Sequence, residues 1–110
     1  MQEPLSRRKC VPCEGGVKPL TREQARKYMQ EVPVWKLSED GKSISREFSF
    51  PTFIKAIGFV DQVADLAEFE GHHPDIHLSY TDLRLELSTH AISGLSENDF
   101  ILAAKIENLI

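Results

Sequence analysis

The sequence predicts a two-layer α+β domain with the element order α-β-β-α-β-β-α: a four-stranded antiparallel sheet covered on one face by helices. Three observations lead there. Two pairs of short alternating segments, around 35–50 and 76–87, are each joined by a tight polar turn, which makes their strands antiparallel. Apolar residues recur at helical spacing before, between and after these hairpins. With 110 residues and 41% hydrophobic content, the chain suits one domain around one core.

Residues 1–19 read as a flexible tail, because Pro4, Pro12, Gly15, Gly16 and Pro19 break any period. The domain is expected over 20–110. Thr21-Arg22-Glu23-Gln24 has the form of a capping box, so a short helix should run to about Gln30, with Ala25, Tyr28 and Met29 inward. Pro33 stops it. Trp35 and Leu37 alternate with polar residues as in a strand, and Asp40-Gly41 is a hairpin turn signal. Ile44, Arg46, Phe48 and Phe50 then share one strand face, which Arg46 would leave partly open.

A long helix follows, with Pro51 in its first turn, where the missing N–H costs nothing. Phe53, Ile57, Val60, Ala64 and Ala67 form its expected buried stripe, widened by Ala56, Val63 and Leu66. Gly71 is the natural residue to leave the helix left-handed. Ile76, Leu78 and Tyr80 alternate next, with Tyr80 read as core. Thr81-Asp82 forms the turn, and Leu83, Leu85 and Leu87 face inward on the last strand, opposite Arg84, Glu86 and Ser88. Ser96-Glu97-Asn98-Asp99 opens a final helix, with Asp99 placed to cap it.

Charge and cysteine content narrow the function. The net charge is −4 and no basic face is evident, so nucleic acid is an unsuitable partner. No apolar run approaches the ~20 residues of a membrane span. The N-terminus is polar and basic (Arg7, Arg8, Lys9) rather than a secretory signal, and the reading is of a cytoplasmic protein. Cys10 and Cys13 offer half of a zinc site without a second pair. They read as free thiols of the tail, with a metal shared between subunits as the alternative.

All four histidines, His72, His73, His77 and His90, fall between Glu68 and Asp99. Histidine alone titrates near neutral pH without perturbation, so it suits proton transfer and metal binding alike. His72 and His73 follow a helix end and precede the stiffening Pro74, while His90 stands where the last strand stops. Folded together, these imidazoles with Glu68 would make an acid/base cleft. Two other readings stay open. The four histidines and Asp75 offer ligands for zinc or iron, although the adjacent His72 and His73 would point different ways. The histidines could equally be loop residues without a task. No serine stands in a nucleophile elbow.

The spacing Glu68, His72-His73-Pro74, Tyr80, His90, Asp99 resembles the pterin-4a-carbinolamine dehydratase family, as do Leu87-Ser88-Thr89-His90 and Gly94-Leu95-Ser96. The likeness extends through Trp35, Phe48, Phe53, Ala56 and Gly58-Phe59, over roughly 33–107. It implies a dehydratase that takes 4a-hydroxytetrahydropterin, left by an aromatic amino acid hydroxylase, to quinonoid dihydropterin and water. It implies no metal and no organic cofactor.

By position, His72 and His90 resemble the family's acid/base pair, and Glu68 the carboxylate that orients His72. His73, Gly71, Ser88, Thr89 and Ala91, together with His72 and His90, resemble its substrate contacts. Pro74, Tyr80 and Asp99 complete the motif as structural support. The resemblance further implies a homodimer or homotetramer, and the hydroxylase as a partner.

The chain also departs from the family. Gly71 stands where animal members carry aspartate, and Ile76-His77 replaces an aromatic pair. Some animal members also act as dimerisation cofactors of a homeodomain transcription factor, a task these departures do not support. The alternatives are a non-enzymatic binding or regulatory module of the same fold, serving a hydroxylase or a regulator, and a histidine metal-binding protein.

Overall fold

The computed structural model describes residues 4–10 and 18–110. Three helices, α1 (Arg22–Met29), α2 (Phe53–Glu70) and α3 (Glu97–Glu107), accompany four strands, β1 (Lys36–Leu37), β2 (Ile44–Ser49), β3 (Asp75–Ser79) and β4 (Asp82–Leu87). The sheet runs β1-β2-β4-β3 with every pair antiparallel. The predicted class and element order hold. Among the described residues, no helix is long and apolar enough to cross a membrane.

Register explains the two faces. Ile44, Arg46 and Phe48 of β2 lie opposite Leu87, Leu85 and Leu83 of β4, and the last two lie opposite Ile76 and Leu78 of β3. This row meets the helices, and its β4 leucines, Leu83, Leu85 and Leu87, are fully buried, with Leu78 partly buried. The alternate row, with Glu47, Arg84, Glu86, Asp75 and His77, forms the polar face. Arg46 does not leave the core row open. Its Nε pairs with Glu107 of α3 at 2.9 Å, and its guanidinium lies 4.1 Å above the Phe48 ring. Trp35 donates to the same Glu107 carboxylate at 2.9 Å, just ahead of a strand shorter than its alternation suggests.

The long helix is present but rotated from the expected stripe. Ala56, Phe59, Val63 and Ala67 are buried, whereas Phe53 and Ala64 are exposed. Phe59 sets this orientation by packing 5.0 Å from the Phe48 ring and 5.3 Å from that of Phe50. The helix starts after Thr52, whose side chain accepts from Lys55 N–H, so Pro51 lies before it rather than in its first turn. Tyr80 is not core either. It occupies the β3–β4 turn at φ 54° and is 73% exposed, with its ring stacked 6.4 Å from Phe53. A two-residue hairpin needs positive φ in its loop, which turns Tyr80 away from the row that holds Leu78.

Part of the segment read as a tail lies against the domain. Leu5 is buried in the main core, and Arg8 pairs with Glu97 at 3.1 Å. Tyr28 donates to the same carboxylate at 2.9 Å. Cys13, Gly15 and Gly16 lie outside the described residues.

Candidate active site

The site forms where the end of α2 meets the start of α3. Gly71 closes α2 in the left-handed conformation at φ 70°, and its N–H bonds to Ala67 C=O at 2.8 Å. That reversal sends the next two side chains apart. His72 turns inward and its Nε2 lies 2.6 Å from Asp99 Oδ1, while His73 turns back so that its Nε2 lies 2.6 Å from Glu68 Oε2. The expected partnership of Glu68 with His72 is therefore replaced: Glu68 serves His73, and Asp99 serves His72.

The two pairs differ in burial. His72 and Asp99 side chains are 13% and 0% exposed, against 59% and 78% for His73 and Glu68. Water screens the second pair, so its geometry is weakly held. The first pair is fixed from several sides. Asp99 Oδ2 accepts from Thr89 Oγ1 at 2.8 Å and from the Ser96 N–H at 3.0 Å. Thr89 has one hydroxyl proton and gives it to the carboxylate, so in the 2.8 Å contact between the two hydroxyls Ser96 donates to Thr89. A carboxylate only accepts, so Asp99 favours a proton on His72 Nε2, and in the neutral imidazole the lone pair is then on Nδ1.

Thr89 also ties in His90. Thr89 and Gly94 exchange backbone hydrogen bonds at 2.8 and 3.4 Å, closing a short 3-10 turn, His90–Ile92. His90 is exposed, while its neighbour Thr89 is buried against Asp99. A cavity of about 300 Å³ opens there, lined by Asp40, Lys42, Ser88, Thr89 and His90 among others. Ala91 is exposed on the same turn.

His77 sits elsewhere, on the polar sheet face opposite Arg84. A broader concavity of about 930 Å³ covers that face and includes none of the other histidines. Among the described residues, no group of three or more His, Cys, Asp or Glu side chains is gathered as a metal ion requires.

Sequence reasoning missed the residues behind the site. Glu70 Oε2 accepts from Lys105 at 2.8 Å, and its Oε1 accepts from the Cys10 N–H at 3.0 Å. Burial opposes the charge on Glu70, but these donors outweigh it and hold the carboxyl below its usual range. With the folded value depressed, the contribution to stability is present above the unfolded value and is lost as pH falls through the folded one. Burial, aided by the Glu70 charge, pushes the Cys10 thiol up to about 12. Cys10 therefore stays protonated at neutral pH, a poor nucleophile and metal ligand. Glu70, two residues after Glu68, gave only the signal of a second acid at a helix end, and nothing local pointed to Lys105.

The domain is an antiparallel α+β fold that buries an imidazole–carboxylate pair, His72 with Asp99, at the junction of two helices. Comparison with known proteins narrows the class. The family model for pterin 4 alpha carbinolamine dehydratase matches residues 18–109. A relative from Halorhodospira halophila is 50% identical over 105 residues, spanning 96% of each chain. One from Methylococcus capsulatus is 46% identical over 105 residues, spanning 96% of this chain and 92% of its own. Both carry the name "Putative pterin-4-alpha-carbinolamine dehydratase".

The crystal structure of a transcriptional coactivator/pterin dehydratase from Brucella melitensis matches with a TM-score of 0.78 at 29% identity, over 84% of this chain and 98% of that one. A pterin dehydratase-like protein identified as a RuBisCO assembly factor shares the fold, with a TM-score of 0.59 at 24% identity over 68% of this chain and 87% of that one. This chain belongs to the pterin 4 alpha carbinolamine dehydratase family, and its class is that of the dehydratases.

Proposed function

We propose that the protein dehydrates 4a-hydroxytetrahydropterin by histidine acid/base catalysis, as one step in recycling a tetrahydropterin cofactor after an aromatic amino acid hydroxylase has used it. The C4a–O bond breaks as the hydroxyl takes up a proton and leaves as water. The N5 proton is lost, and the C4a–N5 double bond forms. One group must give a proton and one must take one, and His72 and His90 fill these roles. The observation that carries the reading is the buried contact of 2.6 Å between His72 and Asp99, which directs Nδ1 to the reaction. His73, supported by Glu68, binds substrate, as do Gly71 and the Ser88–Ala91 segment.

The test follows carbinolamine decay by stopped flow after a hydroxylase turnover. Added protein should speed the decay, with a bell-shaped rate profile between pH 5 and 9, because acid and base must be in opposite protonation states. No acceleration would end the dehydratase reading, and a flat profile would end the paired-histidine mechanism.

The same reading takes the protein as a homodimer or homotetramer. Ile54 and Phe69 on α2 are 76% and 78% exposed, and Ile76 lies on the edge strand β3. Apolar surface and an unpaired strand edge both favour a second copy. Light scattering should return a mass at least twice that of the chain, and a monomer mass would refute the assembly.

A further inference from the structure

We propose that Glu70 is a positioning residue for the His72–Asp99 pair, acting through the two backbone segments that carry those side chains. This rests on the reading of that pair as part of the reacting machinery. Glu70 is the last residue of α2, and only Gly71 separates it from His72. Its side chain is 2% exposed, and that of its partner Lys105 is 15% exposed.

The contacts close a ring. Glu70 accepts from the Cys10 backbone at 3.0 Å, and the Cys10 thiol donates to the Asn98 carbonyl at 3.6 Å. Asn98 immediately precedes Asp99, whose 2.6 Å contact with His72 returns to the chain beside Glu70. A second tie runs from Glu70 to Lys105, at 2.8 Å, on the same helix as Asp99. The end of α2 is thus held to α3 at two levels, with the N-terminal segment wedged between them. The raised titration of the Cys10 thiol keeps it a donor at neutral pH.

A buried ion pair adds little net stability compared with apolar residues of the same volume. What it adds here is direction. Carboxylate, ammonium and amide must meet at set distances, and that fixes where the two backbones lie. Misplacement of a reacting group by ~1 Å costs about 10²-fold in rate, so a shift of about half an ångström should cost about tenfold.

The test compares full-length variants. Glu70→Ala alone strands a largely buried ammonium and can unfold the chain, so the primary variant is the double E70Q/K105M, which removes both charges and retains volume. It should fold, lose about tenfold in kcat with KM within about twofold, and show an altered His72 imidazole signal in nitrogen NMR. Lys105→Met alone should move kcat and the His72 signal in the same direction. A folded double variant with wild-type kcat and an unchanged His72 signal would overturn the proposal. His72→Ala measured in parallel separates the two claims: full activity there removes the role of His72, while the His72 signal in the double variant still reports whether Glu70 positions it.

Discussion

Alanine at position 72 is expected to lower kcat by about 10²–10⁴-fold, the usual worth of a positioned proton carrier. The folded state should survive. His72 contributes one buried hydrogen bond, to Asp99, and its loss leaves Asp99 Oδ1 without that donor. Such a loss costs about 1–3 kcal/mol, against a typical domain stability of about 5–15 kcal/mol. Oδ2 keeps its bonds from Thr89 and Ser96, so the start of α3 retains its cap. His90→Ala should match the rate loss without the stability cost, because His90 is exposed. Stopped-flow rates and thermal denaturation on the same samples would check both. Turnover of the folded His72→Ala protein within about threefold of wild type would contradict the typical contribution of a general acid or base.

Asparagine at position 99 should be nearly as damaging, for a different reason. Asp99 is fully buried and accepts on both oxygens, from His72 on one side and from Thr89 and Ser96 on the other. An amide of the same shape has one accepting oxygen and one donating nitrogen. If the oxygen keeps Thr89 and Ser96, the NH₂ faces His72 Nε2 and forces that nitrogen to accept. The imidazole proton then moves to Nδ1, and the working lone pair is lost. A carboxylate-to-amide change beside a catalytic histidine has cost about 10⁴-fold in a serine protease through this tautomer fault. A loss of about 10²–10⁴-fold is expected here. Nitrogen NMR of His72 would detect the tautomer switch, and wild-type kcat with an unchanged tautomer would overturn the orienting role. Asp99→Ala should be destabilised more, by about 3–5 kcal/mol, as when one partner of a buried pair is removed.

What the sequence made legible was local. Gly71, Thr21 and Ser96 announce helix ends through chemistry contained within a few residues, and each stands at the end it announced. Alternation in Leu83, Leu85 and Leu87 identified the inner row of β4. The face that α2 buries was not legible, because apolar residues surround much of its circumference and only Phe48 and Phe50 decide between them. Tyr80 continued an alternating pattern that the backbone abandoned one residue earlier. Histidine clustering pointed to the candidate site, but not to its pairings. Glu68 looked well placed for His72 along the chain, yet the left-handed turn at Gly71 gave it to His73. The partner of His72 stands 27 residues away, a closeness that only the packing of α2 on α3 creates.

One carboxylate begins the last helix and also serves an imidazole. These duties cannot be separated in time: whenever the first turn of α3 frays, the His72–Asp99 contact comes apart with it. Under the proposed mechanism a molecule in that state would be silent rather than slow, and turnover would count the copies that have this helix start intact.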